Sequence, residues 1–229
     1  MQSAATSAQN HASQTRAACL LDVRVDPVAL AGVVRLLDEY VQSGVPHQIV
    51  TVNLDFIRIA QRDAEFRAVI NAADLSVADG VPVVWAARLF GVPIPGRVTG
   101  VDIVERGVAL AAERGYRLFL LGAAPGVAAA AASALQRRCP ALLVAGTYSP
   151  PYGPFSAETD AHIVDRIRAA RPDMLFVAFG APRQDLWIAR HKHELGVPVC
   201  VGVGGTFDLL AGNLARAPRW MQRAGLEWT

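Results

Sequence analysis

A rhythm of short apolar runs constrains this chain most. "RLFLLG" (117–122), "ALLVAGT" (141–147), "DMLFVAFG" (173–180) and "PVCVGVGG" (198–205) each end at a glycine or a turn, and stretches of helical character at 126–138, 157–170 and 183–195 lie between them. Continuous apolar runs mark strands buried on both faces, and intervening helices of this length fit βαβ crossovers. Upstream, Leu30, Val33, Val34, Leu37 and Val41 recur at helical spacing, so residues 18–41 read as a first strand and helix. "QIVTVN" then gives a β-rich segment, and "LSVADG" (75–80) is another run ending at glycine. The expected fold is α/β: a Rossmann-like, open, mainly parallel sheet with helices on both faces, in a single domain over 18–229. Residues 1–17 read as a disordered N-terminal tail, with neither the basic start nor the apolar stretch of a signal peptide.

Composition excludes several function classes. With 22 basic against 20 acidic residues the net charge is +2, too balanced for nucleic-acid binding by phosphate neutralisation. Cys19, Cys139 and Cys200 are odd in number and far apart, which argues against a disulfide framework or a zinc knot and for the cytoplasm. Two stretches run eighteen residues without a charge, Leu118 to Leu135 and Pro140 to Ala157. The first holds Gly122, Pro125 and Gly126 and the second four prolines, so neither suits a lipid-exposed helix.

In open parallel sheets ligands bind beyond the carboxyl ends of the strands, and the candidate residues fall there. Asp79 follows a strand, with Gly80 permitting a sharp turn behind it; a carboxylate there suits a general base, and an aspartate before an apolar helix also suits an N-cap. Thr51 and Asn53 stand at another strand end, where turn residues are equally at home. "GAAPG" (122–126), with Gly122 and Gly126, joins a strand to an alanine-rich helix and would let backbone approach a phosphate, or simply make a tight turn. "FGAPRQDLW" carries Gly180, Arg183 and Gln184, donors for a diphosphate or sugar hydroxyls, or a solvated first-turn pair. "VGGTFDLLAG" adds Gly204, Gly205 and Asp208, the acid being either a ligand contact or a complement to the helix dipole. "TYSPPYGPFS", starting at Thr147 and including Tyr148, is a rigid aromatic loop that could cover a base or sugar ring, or equally serve a structural role alone. His191 and His193 lie on different helix faces and no DxD occurs, so no metal is expected. Near the end, Arg216, Arg219, Trp220 and Arg223 form a basic and aromatic patch, suited to a solvated helix, a diphosphate or an anionic bilayer.

Six segments in order, "TVNLDF", "ADGVPVVW", "GRVTGVD", "GAAPGVAAAAASAL", "GAPRQDLWI" and "VGVGGTFDLLAGNLARAPRWMQRAGLEW", resemble the motifs of the WecG/TagA/CpsF glycosyltransferases, glycosyltransferase family 26, from about residue 20 onward. The resemblance implies an inverting, metal-independent bacterial enzyme without a cofactor, peripheral at the inner face of the cytoplasmic membrane. It would move a sugar (N-acetylmannosamine, its uronic acid, or glucose) from a UDP-sugar to a polyprenyl-diphosphate-linked saccharide, in exopolysaccharide or teichoic acid synthesis. Carried over by residue, the family's proposed base falls on Asp79, its pocket neighbours on Thr51 and Asn53, the arginine of its "GR" motif on Arg97, and the glutamine of "GxPxQ" on Gln184. A homo-oligomer is also compatible with the family. Its members usually continue past "GLEW" with an arginine-containing tail, whereas this sequence stops at Thr229: either the protein is truncated, or Arg216, Arg219 and Arg223 carry acceptor and membrane contact alone, and weak membrane association is expected. Two rival readings are an NAD-dependent nucleotide-sugar oxidoreductase or epimerase, disfavoured because residues 18–41 lack GxGxxG, and a nucleotide-binding module that has lost catalysis.

Overall fold

The structure is a computed structural model in which residues 17–214 are described. Strands β1 (Ala18–Leu20) and β2 (Val23–Val25) form an antiparallel hairpin whose two-residue turn has positive φ at Leu21 (51°) and Asp22 (63°). The first strand expected within 18–41 is therefore a hairpin arm and not a member of the parallel sheet, because the turn comes only three residues after it begins. Helix α1 (Leu30–Ser43) follows, burying Val33 and Leu37. The remaining elements alternate: β3 (His47–Val52), α2 (Leu54–Ala60), α3 (Ala64–Ala72), β4 (Leu75–Ala78), α4 (Val81–Leu89), α5 (Gly100–Arg114), β5 (Arg117–Gly122), α6 (Val127–Arg138), β6 (Leu143–Tyr148), α7 (Ala157–Ala170), β7 (Met174–Ala178), α8 (Arg183–Leu195), β8 (Val199–Gly202) and α9 (Thr206–Ala211).

The six longer strands pair in the order β4-β3-β8-β7-β5-β6, every pair parallel. The expected open α/β sheet with helices on both faces is thus what forms. Alternation along the strands divides the core. Ile49, Leu120, Phe176, Val199 and Val201 face α1, α5, α6 and α9. On the opposite face Val50 and Val52 meet the hairpin, α2, α3 and α4, while Leu121, Val177 and Cys200 meet α7 and α8. The edge strand β4 is covered by Asp26 just after the hairpin: its N–H donates to Ser76 O (2.7 Å), and its carboxylate, gripped by Arg24, accepts from Ser76 N–H (2.8 Å). Such a contact withdraws an open edge from pairing with other chains.

These faces determine where ligands can enter. The chain leaves β3 for α2 on one face but leaves β8 for α9 on the other; it likewise leaves β5 for α6 and β7 for α8 on opposite faces. Where the connections part, a crevice opens at the carboxyl edge.

Candidate functional site

Parallel register assembles the first half of the site. Thr51 lies opposite Val77 and Val52 opposite Ala78, so Asn53 and Asp79 leave the sheet side by side, and the Asp79 N–H donates to Val52 O (2.8 Å). Asp79 is half-buried. Gly80 has φ 129°, a region that favours glycine, and it occupies the N-cap of α4, so the cap position falls on a residue with no side chain and not on Asp79. The loop from α4 then returns: Val98 N–H donates to Ala78 O (2.7 Å), which sets half-buried Arg97 beside the end of β4. Thr99 and Asp102 close a reciprocal capping box (3.1 Å each way) that starts α5. At the first residue of α5, a Cβ on Gly100 would stand 3.3 Å from the Val203 backbone, so this turn abuts the end of β8. Asp79, Asn53, Arg97 and the Gly204–Gly205 loop therefore share one mouth.

Two residues in this mouth also have structural duties. Asn53 Oδ1 accepts from Phe56 N–H (3.0 Å) and caps α2, which leaves its amide N–H groups as the part suited to a ligand. Thr51 is one residue short of the strand end and only 5% exposed.

Gln184 is more deeply committed than the sequence suggests. At 2% exposed, its Oε1 accepts from Gly180 N–H (3.2 Å) and Gly204 N–H (3.1 Å), lacing the loop after β7 to the loop after β8. Its carbonyl thus shapes both glycine loops instead of lying open on a first turn. Next to it, Asp185 is 0% exposed and neither carboxylate oxygen has a hydrogen-bond partner among the described residues. Burial pushes this carboxyl up to about 7 from an ordinary 3.8; the nearby Gln184 side chain and its own backbone amide, close to it but not in hydrogen-bond geometry, pull the other way. Gly202 makes room for the pair, since a Cβ there would stand 2.6 Å from Gln184 Nε2 and 2.7 Å from Asp185 Oδ1. Asp185 escaped the sequence reading. An acid beside a motif glutamine was the available signal, but a first-turn aspartate is usually solvated.

The second half of the site lies beyond β5 and β7. A cavity of about 240 Å³ is lined by residues of three loops, among them Gly122, Ala124, Tyr152, Phe155, Phe179 and Arg183. Gly122 (φ 107°) must be glycine, as a Cβ would meet Ala178 O at 2.6 Å; its carbonyl accepts from Ser149 Oγ (2.8 Å). The Arg183 guanidinium lies 3.9 Å over the Phe155 ring and 5.3 Å from Phe179, and its Nη2 is buried without a hydrogen-bond partner among the described residues. An unmatched guanidinium N–H on an aromatic wall suits a planar or anionic group. Of the aromatic loop, Tyr152 and Phe155 line this cavity. Tyr148 does not: as the last residue of β6 it stacks on Arg166 (4.7 Å) and meets His162 (5.7 Å), both of α7. Asp208, in the first turn of α9, takes Asn213 Nδ2 at 3.4 Å.

The helix starts complete the electrostatics. α3, α5 and α7 are capped by the side chains of Asp63, Thr99 and Ser156. Of the helices that spring from the carboxyl ends of strands, α2 is capped by Asn53, whereas α4, α6 and α8 begin at Gly80, Gly126 and Pro182 with no side-chain cap. Their first N–H groups and positive dipole ends favour an anion. Among the described residues no three His, Cys, Asp or Glu side chains are grouped to hold a metal ion, and no helix is long and apolar enough to cross a membrane. Arg216, Arg219 and Arg223, and all but the last residue of the 1–17 tail, lie outside the described residues.

The sequence model of the glycosyl transferase WecG/TagA/CpsF family matches residues 18–229. Similar curated proteins include one from Bacillus spizizenii strain W23, 36% identical over 180 residues (79% of this chain, 68% of the relative), and one from Bacillus subtilis strain 168, 32% identical over 189 residues (82% and 72%). Another, from Staphylococcus aureus strain NCTC 8325, is 33% identical over 180 residues (79% and 69%). All three are named N-acetylglucosaminyldiphosphoundecaprenol N-acetyl-beta-D-mannosaminyltransferase.

Proposed function

We propose that this chain, which belongs to the glycosyl transferase WecG/TagA/CpsF family, transfers a hexosamine of the N-acetylmannosamine type from a UDP-sugar to a polyprenyl-diphosphate-linked N-acetylglucosamine, with inversion and without a metal. The observation that carries this reading is the convergence of Asp79, Asn53 and Arg97 at one mouth where the β3 and β8 connections part.

In this mechanism the Asp79 carboxylate takes the proton of the acceptor hydroxyl while that oxygen attacks the anomeric carbon. The bond from that carbon to the β-phosphate oxygen breaks, and UDP leaves with the electron pair. Attack opposite the leaving group turns an α-linked donor into a β-linked product, the configuration printed in the relatives' names. Arg97, the Asn53 amide and the uncapped start of α4 would stabilise the departing diphosphate, which is the electrostatic work a metal does in other transferases. Four strand spacings of about 4.8 Å put the Asp79 mouth roughly 19 Å from the Gly122 cavity, on the scale of a nucleotide sugar lying along the sheet edge. Gln184 then serves by fixing the Gly180 and Gly204 loops.

The test is Asp79→Asn, with UDP release measured in the presence of a lipid-diphosphate acceptor. Turnover should fall by about 10² to 10⁴ while UDP binding by calorimetry stays near wild type. Unchanged turnover would remove Asp79 from the role of base; an α-linked product by NMR would remove inversion; activity abolished by chelator and restored by manganese would remove metal independence.

A further inference from the structure

The exposed side of α4 and the loop after it form a surface that the transfer chemistry does not use. Helix α4 is two-faced: Val83, Val84 and Ala87 are buried in the core, while Trp85 (62% exposed) and Leu89 (85%) lie one turn apart on the outside, followed by Phe90 (65%). Pro93 and Pro95 continue the exposed apolar surface toward Arg97. Nowhere else among the described residues do three large exposed apolar side chains occur within six positions; Leu21, Val45, Leu54, Leu143, Tyr152 and Leu214 are scattered along the chain. Exposed apolar groups concentrated in this way signal an interaction surface.

Charge indicates what the surface meets. From Gly80 to Val101 the sequence contains Arg88 and Arg97 and no aspartate or glutamate. Arg88 is exposed between Trp85 and Leu89. Tryptophan beside arginine, with leucine and phenylalanine to enter the acyl boundary and no acid to be repelled, is the chemistry of an anionic lipid surface. Position supports the same partner. Asp79 immediately precedes the cap of α4, and at about 1.5 Å per residue the patch from Trp85 to Phe90 lies roughly 9 to 17 Å along the helix from it. An acceptor tethered in a bilayer by a polyprenyl chain could then bring its sugar to the mouth without leaving the membrane.

We propose that the outer face of α4, through Trp85, Arg88, Leu89 and Phe90, docks this protein on an anionic bilayer and sets the mouth of the site against the lipid surface. The proposal rests on the lipid-linked acceptor of the preceding section. Its test is the triple variant Trp85→Ser, Leu89→Ser, Phe90→Ser and the single variant Arg88→Glu in the full 229-residue chain, each checked for an unchanged thermal transition. Flotation with phosphatidylglycerol-containing vesicles should show the triple variant binding at least about tenfold more weakly than wild type, and Arg88→Glu should lose affinity for these vesicles but not for purely zwitterionic ones. Turnover of a long-chain acceptor in vesicles should fall by a similar factor, with turnover of a short-chain, water-soluble acceptor unchanged.

Equal vesicle binding by wild type and triple variant would overturn the proposal. So would a concentration-dependent dimer, seen by light scattering, that the triple variant abolishes while vesicle binding persists, since the patch would then join two copies. If vesicle binding responds as expected but neither acceptor is turned over, the docking surface stands and the transferase reading fails.

Discussion

Replacing Asp185 by asparagine is expected to remove a pH-dependent cost that the wild-type protein carries. The carboxyl is fully enclosed, and its ordinary value of 3.8 rises to about 7 in the folded chain. Below about pH 3.8 it is protonated whether the chain is folded or not, and it adds no pH dependence. Between there and about pH 7 the unfolded chain gives up the proton and the folded chain keeps it, so stability declines as pH rises. Above about pH 7 both states are ionised and the whole penalty is present. About three pH units at roughly 1.36 kcal/mol each come to about 4 kcal/mol, of which about 2 to 3 develops between pH 5 and pH 8. Asparagine cannot ionise. Urea titrations at the two pH values should therefore show Asp185→Asn gaining on wild type by about 1 M in midpoint as pH goes from 5 to 8, at a slope usual for this size. Any constant offset from exchanging hydroxyl for amide cancels in the comparison. A wild-type-to-variant difference that stays constant between pH 5 and pH 8 would refute the reasoning, because it would mean that solvent or an unseen partner carries the charge.

Other perturbations separate scaffold from ligand contact. Gln184→Leu leaves the Gly180 and Gly204 amides without their acceptor; stability should drop by about 1 to 3 kcal/mol in urea melts, and UDP affinity by calorimetry should drop with it. Asn53→Ala should cost about 1 kcal/mol through loss of the α2 cap, whereas Asn53→Asp keeps a capping oxygen and should hold stability to within about 0.5 kcal/mol. UDP binding that weakens in both variants would identify the Asn53 amide as the ligand contact; binding retained in Asn53→Asp would confine the residue to capping. Gly122→Ala forces a Cβ to 2.6 Å from Ala178 O at φ 107° and should destabilise by about 2 kcal/mol or more, read as a lowered thermal midpoint.

Much of this architecture is legible because it is local. The run "RLFLLG" at 117–122 coincides with β5, and the helices expected over 157–170 and 183–195 are α7 and α8 residue for residue. A glycine that must end a strand, such as Gly122, is visible for the same reason, since the constraint comes from its immediate neighbours and one adjacent strand. The hairpin at Ala18–Val25 was not legible, because three-residue strands separated by Leu21 and Asp22 carry no periodicity to distinguish them from a single strand.

The orientation of side chains within the site depends on contacts between residues far apart in the chain, which the sequence leaves open. Tyr148 reads equally as a ligand platform and as part of a structural loop, and its ring packs against Arg166 and His162. Gln184 reads as a donor to a diphosphate or sugar hydroxyl or as half of a solvated first-turn pair, and the adjacency of β7 and β8 puts two loop amides within reach of its oxygen. Both strand ends had to pack before a ligand could be held, and packing a parallel sheet leaves backbone amides at every turn that some side chain must satisfy. Polar residues in such turns are therefore drawn first into building the loops. Arg183 is an exception: a buried guanidinium nitrogen lacking a partner among the described residues is a donor suited to something else. An unmatched group is thus a better guide to the ligand than a polar residue as such, and it becomes visible only after every neighbour's hydrogen bonds have been assigned.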